Sequence, residues 1–253
     1  MRKLTAYRWL GLMVLFLGLL NYSCKKSKPV TPALPPANLV AHWPLDGNAE
    51  DVSRYHNNGI AFYTSPVADR FGKPNAALQF DGLKSYIAVP DSVRLRLAYS
   101  DFTLNAWVYM DSFNTSFASP IISKRTSGVN SGWLWAVNGV GNEYLGPLGS
   151  IYYGPGGGGS IDAVSYKAIP LKQWTMITCV YTVLTQKLVI FINGVADREV
   201  SGVLTPNGTI STPLYIGYDL QGAYFLQGSM DDIKIYSTAL SQSDIDNLYL
   251  ATN

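Results

Sequence analysis

"KLVIFINGVADREV", residues 187–200, holds two β-rich runs that meet at Asn193-Gly194. That pair tolerates the positive φ angles of a type I′ turn, so the stretch predicts a β-hairpin. Just before it, "QWTMITCVYT" (173–182) has the same β-branched and aromatic content and is expected to pair with the first arm. Further out, "LVAHWPL" (39–45), "AALQF" (76–80) and "SYIAVP" (85–90) read as strands, the last two flanking turn residues Asp81 and Gly82. "FTLNAWVYM" (102–110) sets Leu104, Ala106 and Val108 against Thr103, Asn105, Trp107 and Tyr109, which is the two-residue period of a strand. "PIISKR", "GWLWAVN", "SIYYG", "PLYIGY" (213–218) and "SMDDIKIY" (229–236) follow in the same manner. One short helix closes the chain. Ser241 is a good N-cap with Asp244 three residues on, Leu240 and Ile245 suit a hydrophobic staple, and Ile245, Leu248 and Tyr249 share a helical face.

The composition agrees. The chain is 47% hydrophobic and 13% aromatic, with 23 glycines, 14 prolines and 17 tyrosines, a profile that favours an all-β fold. A net charge of +2, without a basic cluster beyond the N-terminus, speaks against nucleic acid.

The N-terminus is a targeting segment. Arg2, Lys3 and Arg8 precede an apolar run, Trp9 to Leu20, too short to span a bilayer. Ser23-Cys24 follows, so residues 1–23 resemble a bacterial lipoprotein signal whose Cys24 thiol is acylated. Asn21 and Tyr22 depart from the usual leucine and small residue of that box. Residues 24–37, "CKKSKPVTPALPPA", read as a Pro/Lys-rich tether of extended polyproline character. Lys25 stands where an aspartate retains such proteins at the inner membrane, so the expected address is the outer membrane, with the face undetermined. With Cys24 lipidated, only Cys179 is left, in an apolar strand, and no intramolecular disulfide forms.

Residues 38–253 suit one β-sandwich. "HWPLDGNAEDVSRYHNNG" (42–59), "ALQFDGLKSYIAVP" (77–90), "FTLNAWVY" (102–109), "WTMITCVYTVLTQKLVIFINGV" (174–195) and "LQGSMDDIKIYSTALSQSDIDNLY" (226–249) together resemble the laminin G-like, concanavalin A-like family, in its bacterial branch related to pentraxins. The resemblance implies a jelly-roll sandwich of two antiparallel sheets with a short C-terminal helix, often with a rim calcium. It does not imply one ligand, since members bind glycans, proteins or lipids.

Alternation in "GSMDDIKIY" (228–236) places Asp231 on the inward face with Ile233 and Ile235, and Asp232, Lys234 and Tyr236 on the other. A buried carboxylate needs a partner. In the family this strand lies near the N-terminal loop, here "LDGNAED", which offers the oxygens of Asp46, Asn48 and Asp51. Two readings stand open. Asp231, Asp46 and Asp51 hold a structural calcium, or Asp231 accepts backbone N–H groups from that loop without metal. The loop "GYDLQGAYF" (217–225) has only Asp219 and Gln221 where pentraxins hold ligand-binding calcium, so that function does not carry over. His42 and His56 have no zinc-type spacing and read as loop-packing residues.

Trp133 and Trp135 share one face of "GWLWAV", and Tyr152 and Tyr153 adjoin the glycine run of "YYGPGGGGS" (152–160). These four are the candidate ligand-binding residues, because aromatic faces stack on sugar rings; the tryptophans have a core reading as well. The glycine run lacks the Gly-Lys-Ser/Thr ending of a phosphate loop. A sandwich glycosidase needs two carboxylates flanking the scissile bond, and none of Glu50, Glu143 and Glu199 has such a partner; Asp197 sits two before Glu199 in an ordinary hairpin arm. The expectation is therefore a membrane-anchored, non-catalytic module for carbohydrate. The alternative is an adhesive protein contacting another envelope protein, and a glycan-active enzyme comes third.

Overall fold

The computed structural model describes residues 36, 38–126, 132–141, 146–156, 161–206 and 208–251. The expected signal segment 1–23, Cys24 and all but Pro36 of the expected tether lie outside them, as do Glu143 and residues 157–160 of the glycine run.

The strands are β1 Leu39–Trp43, β2 Ile60–Phe62, β3 Ser65–Val67, β4 Ala77–Asp81, β5 Tyr86–Val89 and β6 Phe102–Ser112. Then come β7 Ala118–Arg125, β8 Gly132–Asn138, β9 Ser150–Gly154, β10 Ala163–Ala168, β11 Trp174–Thr182 and β12 Lys187–Ile192. Last are β13 Val195–Ser201, β14 Leu214–Ile216, β15 Tyr218–Asp219, β16 Tyr224–Phe225, β17 Gln227–Tyr236 and the helix α1 Gln242–Leu250. The first sheet runs β13-β12-β11-β6-β17-β4-β3, with β1 also on β17; the second runs β10-β9-β8-β7-β14-β5-β2. Both are antiparallel throughout, and together they make the expected sandwich.

The core forms where the inward rows meet. Leu104, Ala106 and Val108 of β6 face Trp133, Trp135 and Val137 of β8, Ile151 and Tyr153 of β9, and Leu214 and Ile216 of β14 within one apolar cluster. The hairpin β12–β13 turns at Asn193 (φ 50°) and Gly194 (φ 80°), as a type I′ turn requires. β11 pairs with β12 over Ile177–Thr182, as expected from its composition.

The turn residues Asp81 and Gly82 carry the chain from one sheet to the other, since β4 belongs to the first and β5 to the second. The Asp81 carboxylate holds that crossing by accepting the N–H groups of Leu83, Lys84 and Ser85, which keep its pKa below the usual range against the opposing effect of burial. The topology corrects the face assignment in β17. Met230, Ile233 and Ile235 enter the core, but Asp231 lies opposite Trp107 on the outer side. A bulge between Asp231 and Lys234, with Asp232 at φ 55°, breaks the alternation. The bulge also marks a change of neighbour: Gln227–Met230 pair with β4, and Ile233–Tyr236 pair with β1. At Gly228 a Cβ would lie 2.2 Å from the Tyr109 carbonyl oxygen, so only glycine fits where β17 approaches β6.

α1 caps the outer side of the first sheet. Ser241 and Asp244 form the reciprocal capping box. Ile245 packs with Trp107, Met176 and Leu240, and the Tyr249 ring stacks on Trp107 at 5.7 Å.

Candidate functional site

Asp231, Asp46 and Asp51 have separate surroundings. Asp231 Oδ2 accepts from Arg70 Nη1 at 2.5 Å, and both side chains are buried. The Arg70 guanidinium is sandwiched between Phe71 and Trp107, at 4.5 and 4.7 Å from the ring centroids. Asp51 accepts from the backbone N–H groups of His42, Ser53 and Asn57 at 2.7–2.8 Å, and from the Ser53 hydroxyl at 2.8 Å. Asp46 is exposed, 3.6 Å from Lys73. Among the described residues no three His, Cys, Asp or Glu side chains gather to hold a metal. The set does not fit calcium: Arg70, remote in sequence, supplies the positive charge that Asp231 was expected to take from an ion. His42 Nε2 meets Asp232 Oδ1 at 2.6 Å, and Lys234 donates to Asp232 Oδ2 at 2.6 Å. Burial pushes the Asp231 pKa up to about 7, with Arg70 opposing. Asp232 is moved the other way: the bonds from His42 and Lys234 hold it below the usual carboxylate range in spite of desolvation.

Trp133, Trp135 and Tyr153 are fully buried between the sheets, so they cannot stack on a ligand. Their inward parity is set by β8 and β9, and parity alone turns Tyr152 outward. Cys179 is buried as well, and burial raises its thiol pKa far above the ordinary value.

Tyr152 leads to the site that does form. On the outer face of the second sheet, a cleft of about 470 Å³ is lined by Phe117, Arg125, Tyr152, Asp162, Gln221 and Tyr224. β7 and β9 contribute Arg125 and Tyr152 to the same cleft, with β8 between the two strands. The ribbon β15–β16 stands against β7 and forms a wall. Its Asp219 is wholly buried, accepting from Ser123 Oγ at 2.6 Å and from both Arg125 Nε and Nη2, so that the guanidinium is held rigid. The Tyr152 hydroxyl donates to Asp162 Oδ2 at 2.8 Å. Desolvation raises the Asp162 carboxyl pKa, although the residue is exposed at the rim, and the same effect keeps the Tyr152 phenol protonated. Phe117 meets Tyr152 edge-on at 5.8 Å and Tyr224 at 5.5 Å.

The cleft thus combines aromatic walls, one fixed guanidinium, one carboxylate and one amide. Asp219 is consumed by Arg125 and Ser123, which leaves Asp162 as the only carboxylate lining the cleft among the described residues. Arg125, Asp162 and Tyr224 were not legible as site residues. They are far apart in sequence, and only the outer parity of β7 and the fold of the ribbon bring them together.

A family model described as the concanavalin A-like lectin/glucanases superfamily matches residues 81–246. No curated protein matches the chain. Among solved structures, domain 4 of the extracellular arabinanase AbnA from Geobacillus stearothermophilus, in complex with arabinotriose, is 18% identical with a TM-score of 0.65, over 84% of this chain and 98% of that one. The binding domain of Paraclostridial Mosquitocidal Protein 1 is 18% identical with a TM-score of 0.66, over 84% of this chain and 52% of that one. A Trypanosoma rangeli sialidase, in complex with 2,3-difluorosialic acid, is 16% identical with a TM-score of 0.60, over 86% of this chain and 34% of that one.

Proposed function

Because the chain belongs to the concanavalin A-like lectin/glucanase superfamily, we propose that residues 38–253 form a non-catalytic carbohydrate-binding module with its site in the Arg125–Tyr152 cleft. The observation that carries this is the cleft's composition. Phe117 and Tyr224 offer apolar ring faces above the nearly buried Tyr152, while Arg125, Asp162 and Gln221 offer donors and acceptors for hydroxyl groups. The arabinotriose complex of a domain with this fold supports the same ligand class. A glycosidase needs two carboxylates astride the bond, and the described residues of this cleft present one. That supports a binding role over a catalytic one.

Retention on immobilised neutral polysaccharides tests the reading. Tyr224→Ala and Asp162→Asn should each weaken binding about tenfold, or 1.4 kcal/mol. Arg125 is already neutralised by Asp219, so binding should persist at high salt. Retention that collapses in salt would point to a charged protein surface instead, and release of reducing sugar would make the module an enzyme.

The cellular address rests on the sequence alone: in this proposal Cys24 is the acylated anchor and holds the module at the outer membrane, on either face. Cys24→Ser should move the protein from the membrane to the soluble fraction; a variant that stays with the membrane would remove the anchor from this proposal. No described helix is long and apolar enough to cross a membrane.

A further inference from the structure

The same sheet face carries a second aromatic surface, on β2, β5 and β14, which lie next to one another. Ile87, Val89, Leu214 and Ile216 point into the core, so Tyr86 and Tyr215 point outward, and Phe62 lies opposite Tyr86 in register. Phe62 stacks on Tyr86 with centroids 4.8 Å apart. Tyr86 meets Tyr215 at 6.0 Å and Tyr218 at 5.4 Å. Tyr218 meets Tyr215 edge-on at 5.3 Å and stacks on Phe225 at 4.7 Å. All five residues are half-buried, where core aromatics such as Tyr153 and Phe102 are fully buried. The array lies across the ribbon from the cleft: Tyr224 lines the cleft, and Phe225, the next residue, turns to the ribbon's other face and joins the array.

We propose that this array extends the saccharide site, and that the ligand is an internal stretch of a neutral polysaccharide rather than a chain end or a free sugar. The proposal rests on the carbohydrate reading of the cleft. A space of about 470 Å³ suits one small ligand, so further sugar units of a bound chain must lie on neighbouring surface. Phe62, Tyr86, Tyr215, Tyr218 and Phe225 bear no charge, which leaves nothing to pair with phosphate, a uronic acid or a charged protein patch. Their ring faces suit the apolar C–H faces of sugars, and three phenolic hydroxyls suit sugar hydroxyls.

The experiment uses the full chain. Arabinan, galactan, mannan, arabinoxylan and mixed-linkage glucan are screened by affinity electrophoresis. Size-graded oligosaccharides of the polymer that is retained are then titrated by calorimetry. Affinity should rise with chain length. Tyr86→Ala with Tyr218→Ala should cost about tenfold for the longest oligosaccharide and leave the shortest unchanged, whereas Tyr224→Ala should weaken both. Tyr86→Leu with Tyr218→Leu, which keeps apolar bulk but removes the ring faces, should repeat the length-selective loss at an unchanged melting temperature. Affinity independent of length, or array variants that bind the longest oligosaccharide like the parent, would overturn the extension while leaving the cleft reading in place. Retention of none of the five polymers would overturn the cleft reading, and the extension with it.

Discussion

Asp231 shows how much one side chain depends on partners remote in sequence. Its carboxylate is buried beside Arg70 and next to Asp232. Removing one partner of a buried pair leaves an uncompensated charge, so Arg70→Met should lower stability by about 3–5 kcal/mol, measured by urea unfolding. The two aspartates have opposite pH signatures. Asp231 has a raised folded pKa, so its contribution is fully present below the unfolded value near 3.9 and is lost as pH rises through about 7. Asp232 has a lowered one, so its contribution is present above the unfolded value and is lost as pH falls toward its folded pKa. Above pH 4 the Asp231 slope should operate together with that of Asp162, whose carboxyl is also raised, and Asp231→Asn should flatten the part of the fall in melting temperature that runs up to about pH 7. Because Arg70 stands where an ion was expected, melting curves in calcium and in chelator should superimpose; a clear gap between them would restore the metal.

At the scale of elements, β17 and α1 depend on different physics. β17 survives a bulge because β6 flanks it along nearly its whole length, while its other edge passes from β4 to β1. α1 has nine residues, too few to be stable alone, and is held by its cap and one buried face. Ser241→Ala should cost about 1 kcal/mol through loss of the capping box. Ile245→Ala, at a fully buried position, should cost about 2–5 kcal/mol. Circular dichroism and thermal melts would rank the two. An equal cost would mean that packing under the helix contributes less than its burial implies. The capping box and the staple were legible because they are local patterns. The bulge was not, because nothing in "SMDDIKIY" marks a change of neighbour on one edge.

Over the whole molecule, the defining pairs join distant segments: β1 with β17, β6 with β17, and β7 with β14. Non-local pairing has to close long loops before it gains contacts, so refolding should take milliseconds to seconds, monitored through the buried Trp43, Trp133 and Trp135. Cys179 reports the same transition, since its thiol is buried and its pKa is raised. Maleimide should label it only at the rate of global opening. Labelling within the mixing time of folded protein would show that β11 is exposed by local fluctuation.

The alternation of "FTLNAWVYM", the Asn193-Gly194 turn and the Ser241 cap determined, by themselves, an all-β sandwich closed by a helix. Each is a property of neighbours in sequence, set by side-chain period or by allowed φ angles. The outward parity of Tyr152 was of this kind too, although the residue could not be told from Trp133, Trp135 and Tyr153 until the strands were placed in a sheet. What the tertiary structure alone decided is which charges meet and which rings share a surface. Arg70 reaches Asp231, and Arg125 reaches Asp219, across stretches that no local pattern connects. Phe62, Tyr86, Tyr215 and Phe225 become one array because β2, β5 and β14 are neighbours in a sheet whose order differs from the chain's. Strand order depends on the summed burial of two whole faces, a quantity that no single segment contains.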